Sequence, residues 1–197
     1  GYPISANIAY WGSNICRAGW VAESAADLPE KARDYVDNFA GPYFTAMAEW
    51  LSHLTIGRLG GELNDLIQSR LPFEKYGIFL NPGHLIHLEE WMSSPIFPGS
   101  EIPIRSGMVL QSDVIPGSTT YFSTRMEDGF AVAGSQLRDE IRTAHPACHA
   151  RIQARREFLE NVLGILLPEE VLPLSNMACL VSPYMLRPNL VFAVSQG

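Results

Sequence analysis

Apolar and polar positions follow one rhythm in the first third of the chain and another after it. Residues 8–21 are rich in aromatic and small side chains and read as a strand, interrupted at Gly12–Asn14. Asp27-Leu28-Pro29-Glu30 then carries a helix-start signature, a capping aspartate with Glu three residues on and Pro in the first turn. Tyr35, Val36, Phe39, Phe44, Met47, Trp50 and Leu51 follow at near-helical spacing, predicting helix to about residue 54, broken in two at Gly41-Pro42. Gly60-Gly61 make a turn before a third helix over 62–71, with Pro72 just beyond its end. From there the apolar runs shorten and are punctuated by Pro and Gly. Residues 78–80, the stretch 83–91, residues 108–115 and 129–134 read as strands with long connections. A late helix is predicted over 146–163, and the tail from Leu167 is irregular or edge strand. Strand, then helices, then several strands is an α+β order rather than that of a doubly wound parallel sheet.

A chain of 197 residues, 47% hydrophobic and 18% charged, can bury one good core and is short for two domains. Its net charge of -7 argues against nucleic acid as a partner, since phosphate binding needs a basic stripe. Arg151, Arg155 and Arg156 form a small solvated helix face. Cys16, Cys148 and Cys179 are an odd number without a CxxC pair, so no disulfide framework is expected and a reducing cytoplasm fits better. No apolar run reaches the roughly 18 residues of a membrane span, so no membrane partner is expected. The opening GYPISANIAYWG lacks a basic leader region and reads as a strand entered part-way through a longer chain.

Chemistry concentrates on His84, Asp113 and Glu127. Asp113 interrupts the apolar stretch MVLQSDVI, and Glu127 opens EDGFAVA. A carboxylate inside a strand is expensive to bury unless a cation or donor meets it. Imidazole with two carboxylates suits a divalent transition metal. Spacing alone leaves open, and favours, the alternative that each side chain points outward from a half-exposed strand. Cys16 reads as a buried structural thiol, because no base is placed for it. His145-Pro146 and Cys148-His149 read as helix surface, and Gly60-Gly61 lacks the fingerprint of a dinucleotide loop.

In order along the chain stand Ser13-Asn14-Ile15-Cys16-Arg17, Gly83-His84, Gly107-Met108-Val109, Asp113 and Arg125-Met126-Glu127-Asp128. Together, over roughly residues 5 to 140, they resemble the second half of the creatinase, aminopeptidase P and methionine aminopeptidase family. The resemblance implies a pita-bread fold, a curved and mostly antiparallel sheet flanked by helices. It extends as a single domain over residues 1–197, amino-terminally incomplete. It also implies a hydrolase of the Xaa-Pro aminopeptidase/creatinase metallopeptidase class, a homodimer acting on a small peptide or amide. His84 falls on the family histidine, which would serve as both ligand and catalytic group. Asp113 and Glu127 fall on the two glutamate ligands, and Arg125 on the arginine of the last motif.

The departures reshape that expectation. Asn14 stands where the second aspartate ligand belongs, and the first would land near Pro3, where no carboxylate exists. A substrate-contacting histidine falls near Trp91, and His87 stands where glycine is usual. Asp for Glu at 113 withdraws the carboxylate by one methylene, about 1.5 Å. Two closely spaced ions need bridging anions to offset their repulsion, and an amide such as Asn14 carries no charge. At most one divalent ion (Mn, Zn or Co) is therefore expected, or a metal-free pocket. The alternative is a catalytically inactive relative serving as a small-molecule-binding or dimerisation module. His84, Asp113 and Glu127 should converge from neighbouring strands of one curved sheet. His87 would face away from His84, and Glu89 and Glu90 would be solvated or capping residues.

Overall fold

The computed structural model of the protein describes residues 1–10, 13–86, 89 and 92–195; of residues 7–10 and 13–14 it describes the backbone. The amino-terminal apolar run is a hairpin, not one interrupted strand. β1 (Tyr2–Tyr10) pairs antiparallel with β2 (Ser13–Val21), with Tyr10 opposite Ser13 and Asn7 opposite Cys16. Of the expected interruption, Gly12 lies outside the described residues, and Ser13 and Asn14 begin β2.

The helix anticipated from Asp27 begins differently. A capping box is present, but Ser24 is its cap and Asp27 its third residue, opening a 3-10 turn over Ala25–Asp27. The backbone N–H groups of Glu23 and Ser24, each 3.0 Å from Asp27 Oδ2, hold that carboxyl below its ordinary pKa. A second 3-10 turn, Glu30–Ala32, and a π turn, Val36–Ala40, lead into α1 (Gly41–Ser52). Gly41-Pro42 thus marks a change of helical register rather than a break. The Gly41 N–H reaches back to the Val36 carbonyl, and a Cβ at Gly41 would lie 2.7 Å from that oxygen. The wider turn accommodates a proline that would otherwise collide with an α-helical carbonyl. α2 (Gly60–Arg70) starts two residues earlier than expected, and α3 (Phe73–Tyr76) is a single turn.

Residues 78–80 are not a strand. Ile78 is buried while Phe79 is 83% exposed, and among the described residues no strand pairs with them. Three apolar residues in a row do not distinguish a strand from a connection with one anchored side chain.

Among the described residues, seven strands form two antiparallel sheets. The first has the order β1-β2-β5, with β5 at Arg125–Glu127; Cys16 lies opposite Glu127 and Ala18 opposite Arg125. The second contains β3 (His84–Leu85), β4 (Val109–Gln111), β6 (Gly129–Val132) and β7 (Val171–Pro173), in that spatial order. The expected single curved sheet is therefore two sheets sharing one continuous segment, with Asp128 at the corner between β5 and β6. Ser112 fastens this corner: its N–H donates to the Asp128 carbonyl at 2.9 Å and its hydroxyl to the Met126 carbonyl at 3.1 Å.

α4 (Ser135–Ala144) was not anticipated; α5 (Pro146–Asn161) was. α4 buries none of its residues completely; its apolar Leu137 and Ile141, four residues apart, turn towards the protein, a helical spacing that the sequence did carry. The largest buried side chains are Trp50, Tyr35, Tyr43, Tyr76, Phe39 and Phe130, so α1 and the turns before it fill the space beneath the sheets. The tail from Leu167 carries the edge strand β7, is otherwise irregular, as expected, and closes back on the core. Phe192 stacks on Phe44 at 5.5 Å, and the Met185 N–H donates to the Trp20 carbonyl. Among the described residues no helix is long and apolar enough to cross a membrane.

Candidate metal centre

His84, Asp113 and Glu127 come from both sheets and meet at the corner. His84 opens β3 opposite Gln111, Asp113 lies just past the end of β4, and Glu127 ends β5. All three are buried, and one ligand atom from each lies within 4.8 Å of the others. Ligand atoms sharing a small divalent ion sit roughly 3–4 Å apart. A filled site would therefore draw the side chains slightly inward.

The backbone around them is held closely. Gly83 has φ +109, and a Cβ there would meet the Gln111 carbonyl and Trp50 at 3.0 Å each, so only glycine fits before His84. The Gly83 N–H donates to the Asp113 carbonyl at 3.2 Å, coupling the first ligand segment to the second. The Tyr43 hydroxyl of α1 donates to the Val114 carbonyl at 2.9 Å and accepts from the Met126 N–H at 3.0 Å. One buried phenol thus pins the residues next to Asp113 and Glu127, and burial pushes its own pKa far up.

The His84 Nδ1–H donates to the Leu85 carbonyl at 2.9 Å, which leaves the Nε2 lone pair of the neutral ring facing the carboxylates. Nε2 lies 3.7 Å from Asp113 Oδ2. Burial alone would lower the imidazole pKa. The Asp113 carboxylate, the Leu85 carbonyl and the charge of Glu127 together outweigh it and leave the pKa above 6.5. Glu127 Oε1 accepts from the Gln111 amide at 3.3 Å. Gly129, opposite Gln111 in the ladder, leaves room for that amide, since a Cβ there would approach Gln111 Oε1 to 3.1 Å. Asp113 Oδ1 is buried with no hydrogen-bond partner among the described residues. A buried carboxylate oxygen without a donor calls for a cation or a water. An imidazole nitrogen and two carboxylates, one of them bearing that orphaned oxygen, fit one divalent ion.

The hairpin brings no further carboxylate, because residues 1–22 contain none. Pro3 pairs with Trp20 in the ladder, and the backbone of Asn14 lies opposite Ala9. The side chain of Asn14, and His87 and Trp91 entirely, lie outside the described residues, as does Glu90. Glu89 is exposed and accepts a long bond from Ser93. Arg125 is half-buried; its Nη1 lies 3.3 Å from Ser5 Oγ and 3.4 Å from Cys16 Sγ. Arg17 takes a structural role. Its Nη2 meets both oxygens of the fully buried Asp128, at 3.0 and 2.8 Å, and the guanidinium also donates to the carbonyls of Leu180, Glu127 and Met177. Gln111 and Tyr43 were not singled out from the sequence. Gln111 shares strand parity with Asp113, a usable signal; Tyr43 is indistinguishable there from the core aromatics around it.

Paired antiparallel sheets meeting over this cluster, with helices packed beneath, make an α+β fold of the pita-bread type. No family model matches the sequence, and no curated protein does. Solved structures match in fold. The Xaa-Pro dipeptidase from Bacillus anthracis aligns with 68% of this chain and 37% of its own, at 18% identity and a TM-score of 0.51. The X-Pro aminopeptidase from Thermotoga maritima aligns over 66% and 36%, at 18% identity and a TM-score of 0.50. A dipeptidase from Pyrococcus horikoshii covers 66% and 35%, at 17% identity and a TM-score of 0.50. The chain thus spans little more than a third of each of these peptidases, and at such identities the likeness is one of fold.

Proposed function

We propose that the protein is a hydrolase-like member of the Xaa-Pro aminopeptidase/creatinase class, acting on a small peptide or amide through a site reduced to one divalent ion. The observation that carries this is the meeting of buried His84, Asp113 and Glu127 at the corner of the sheets. His84 would offer Nε2, its tautomer fixed by the Leu85 carbonyl. Glu127 is oriented by the Gln111 amide, and Asp113 Oδ1 is the oxygen left for a cation or for a proton taken from an attacking nucleophile. A divalent ion bound there would supply Lewis-acid polarisation of an amide carbonyl. Calorimetric titration of metal-free protein with Mn²⁺, Zn²⁺ and Co²⁺ tests the proposal. One site per chain is expected, lost in His84→Ala, together with metal-dependent cleavage of an Xaa-Pro dipeptide. Two sites per chain, or wild-type affinity in His84→Ala, would count against it. The absence of any carboxylate from residues 1–22 favours a second reading, an inactive relative that binds small molecules. It predicts no turnover with any of the three metals.

A further inference from the structure

Gln111 ends β4, opposite His84 on one side of the ladder and Gly129 on the other, so it stands within the second sheet. Glu127 ends β5 of the first sheet. The Gln111 amide donates from Nε2 to Glu127 Oε1 at 3.3 Å, a side-chain bond that crosses from one sheet to the other inside the ligand cluster. Both residues are buried.

The surroundings fix the amide in place. Gly129 supplies the room for it, since a Cβ there would lie 3.1 Å from Gln111 Oε1, 3.6 Å from Ile86 Cδ1 and 3.8 Å from Ser175 Oγ. The Gly129 N–H donates to that Ser175 hydroxyl at 2.9 Å, which holds the glycine against the amide. An N–H on Oε1 competes with any ion for the same oxygen. Glu127 keeps this bond if it meets an ion through Oε2 alone and gives it up if it chelates through both oxygens. Zn²⁺ is satisfied by about four ligands at roughly 2.0–2.3 Å. Ca²⁺ gathers roughly six to eight oxygens at about 2.3–2.6 Å, often both oxygens of one carboxylate.

We propose that Gln111 sets the ionic selectivity of the cluster, holding Glu127 to single-oxygen coordination and so favouring small transition ions over Ca²⁺. This rests on the proposal that the cluster is a metal site. Gln111 acts through Glu127 and is a positioning residue. The imidazole of His84 already favours transition ions. The amide adds to that preference, because chelation by Glu127 forfeits a hydrogen bond to a charged group, about 10- to 100-fold in affinity.

The test is calorimetric titration of metal-free wild type, Gln111→Leu and Gln111→Asn with Zn²⁺ and with Ca²⁺. Leu keeps bulk without a donor; Asn keeps the amide but shortens its reach by about 1.5 Å. Both substitutions should raise the affinity for Ca²⁺ relative to Zn²⁺ by about 10- to 100-fold. In nitrogen-15 spectra of wild type, the Gln111 side-chain amide protons should stay protected from exchange when Zn²⁺ is bound. Failure of wild type to bind Zn²⁺ would refute the metal site and this proposal with it. Zn²⁺ binding with a preference over Ca²⁺ that neither substitution moves would refute the role of Gln111 alone. So would Ca²⁺ binding to wild type as tightly as Zn²⁺, or no detectable Ca²⁺ binding in any of the three proteins. Should neither variant fold, the exchange measurement on wild type decides: loss of protection on adding Zn²⁺ would overturn the proposal.

Discussion

A proton and a metal ion would compete for the same nitrogen of His84. Its carboxylate neighbours raise the imidazole pKa above 6.5 despite burial, so the fold binds that proton more tightly than the unfolded chain does. In metal-free protein the resulting stability is fully present below about pH 6.5 and is lost as pH climbs through the raised value. Metal binding needs the neutral ring, so it should weaken as pH falls through that same value. A proton NMR titration placing the His84 midpoint below 6.5 would refute the first statement, and pH-independent metal affinity the second. Arg17 and Asp128 make a different case. Asp128 is wholly buried and takes two contacts from Arg17 and one from the Cys179 N–H at 2.9 Å. Arg17→Ala strands that charge and should cost about 3–5 kcal/mol in urea unfolding. Arg17→Lys should recover only part, lacking the fork. His84, Asp113 and Glu127 could be singled out from the sequence because polar groups within apolar strands are conspicuous. Tyr43 could not, since a phenol at helical spacing looks the same whether it fills space or clamps two backbones.

At the level of elements, local chemistry was legible where the chain itself supplied the partner. The late helix begins at Pro146, and the capping signal near Asp27 is real though displaced, because Ser24 takes the cap and Asp27 answers it. The hairpin and the π turn were not legible, because they depend on pairing across the fold and on a register shift around Pro42. α4 was legible, in the spacing of Leu137 and Ile141, but was not anticipated. Gly60 shows how a glycine read as a turn can instead be a packing surface. A Cβ there would come within 1.8 Å of the Pro95 carbonyl, so α2 lies directly on the loop carrying that residue. Gly60→Ala should therefore destabilise by about 1–3 kcal/mol. Gly117→Ala, where an added Cβ meets nothing within 4 Å, should stay within about 0.5 kcal/mol. Equal midpoints for the two variants in denaturant would contradict the close approach at Gly60.

Across the whole molecule, an ion held only by the native arrangement must stabilise it. At a hundredfold excess over its dissociation constant the gain is about 2.7 kcal/mol. For a chain of this size that is a rise of roughly 5–10 °C in Tm. Chelation should reverse it, and His84→Ala should abolish it; a melting temperature indifferent to Mn²⁺, Zn²⁺ and Co²⁺ would argue for an empty pocket. The pita-bread architecture could be inferred from motif order, but its division into two sheets could not, since nothing in the string Arg125-Met126-Glu127-Asp128-Gly129 announces a change of partners. That division has a mechanical corollary. Glu127 belongs to one sheet while His84 belongs to the other and Asp113 follows its β4, so the width of the cluster is a gauge of the dihedral between them. Asp128 is the knuckle of that joint, and Arg17 and the Cys179 N–H are its ligaments. Slackening them should alter which ionic radius the cluster prefers, although none of these three residues is among the ligands.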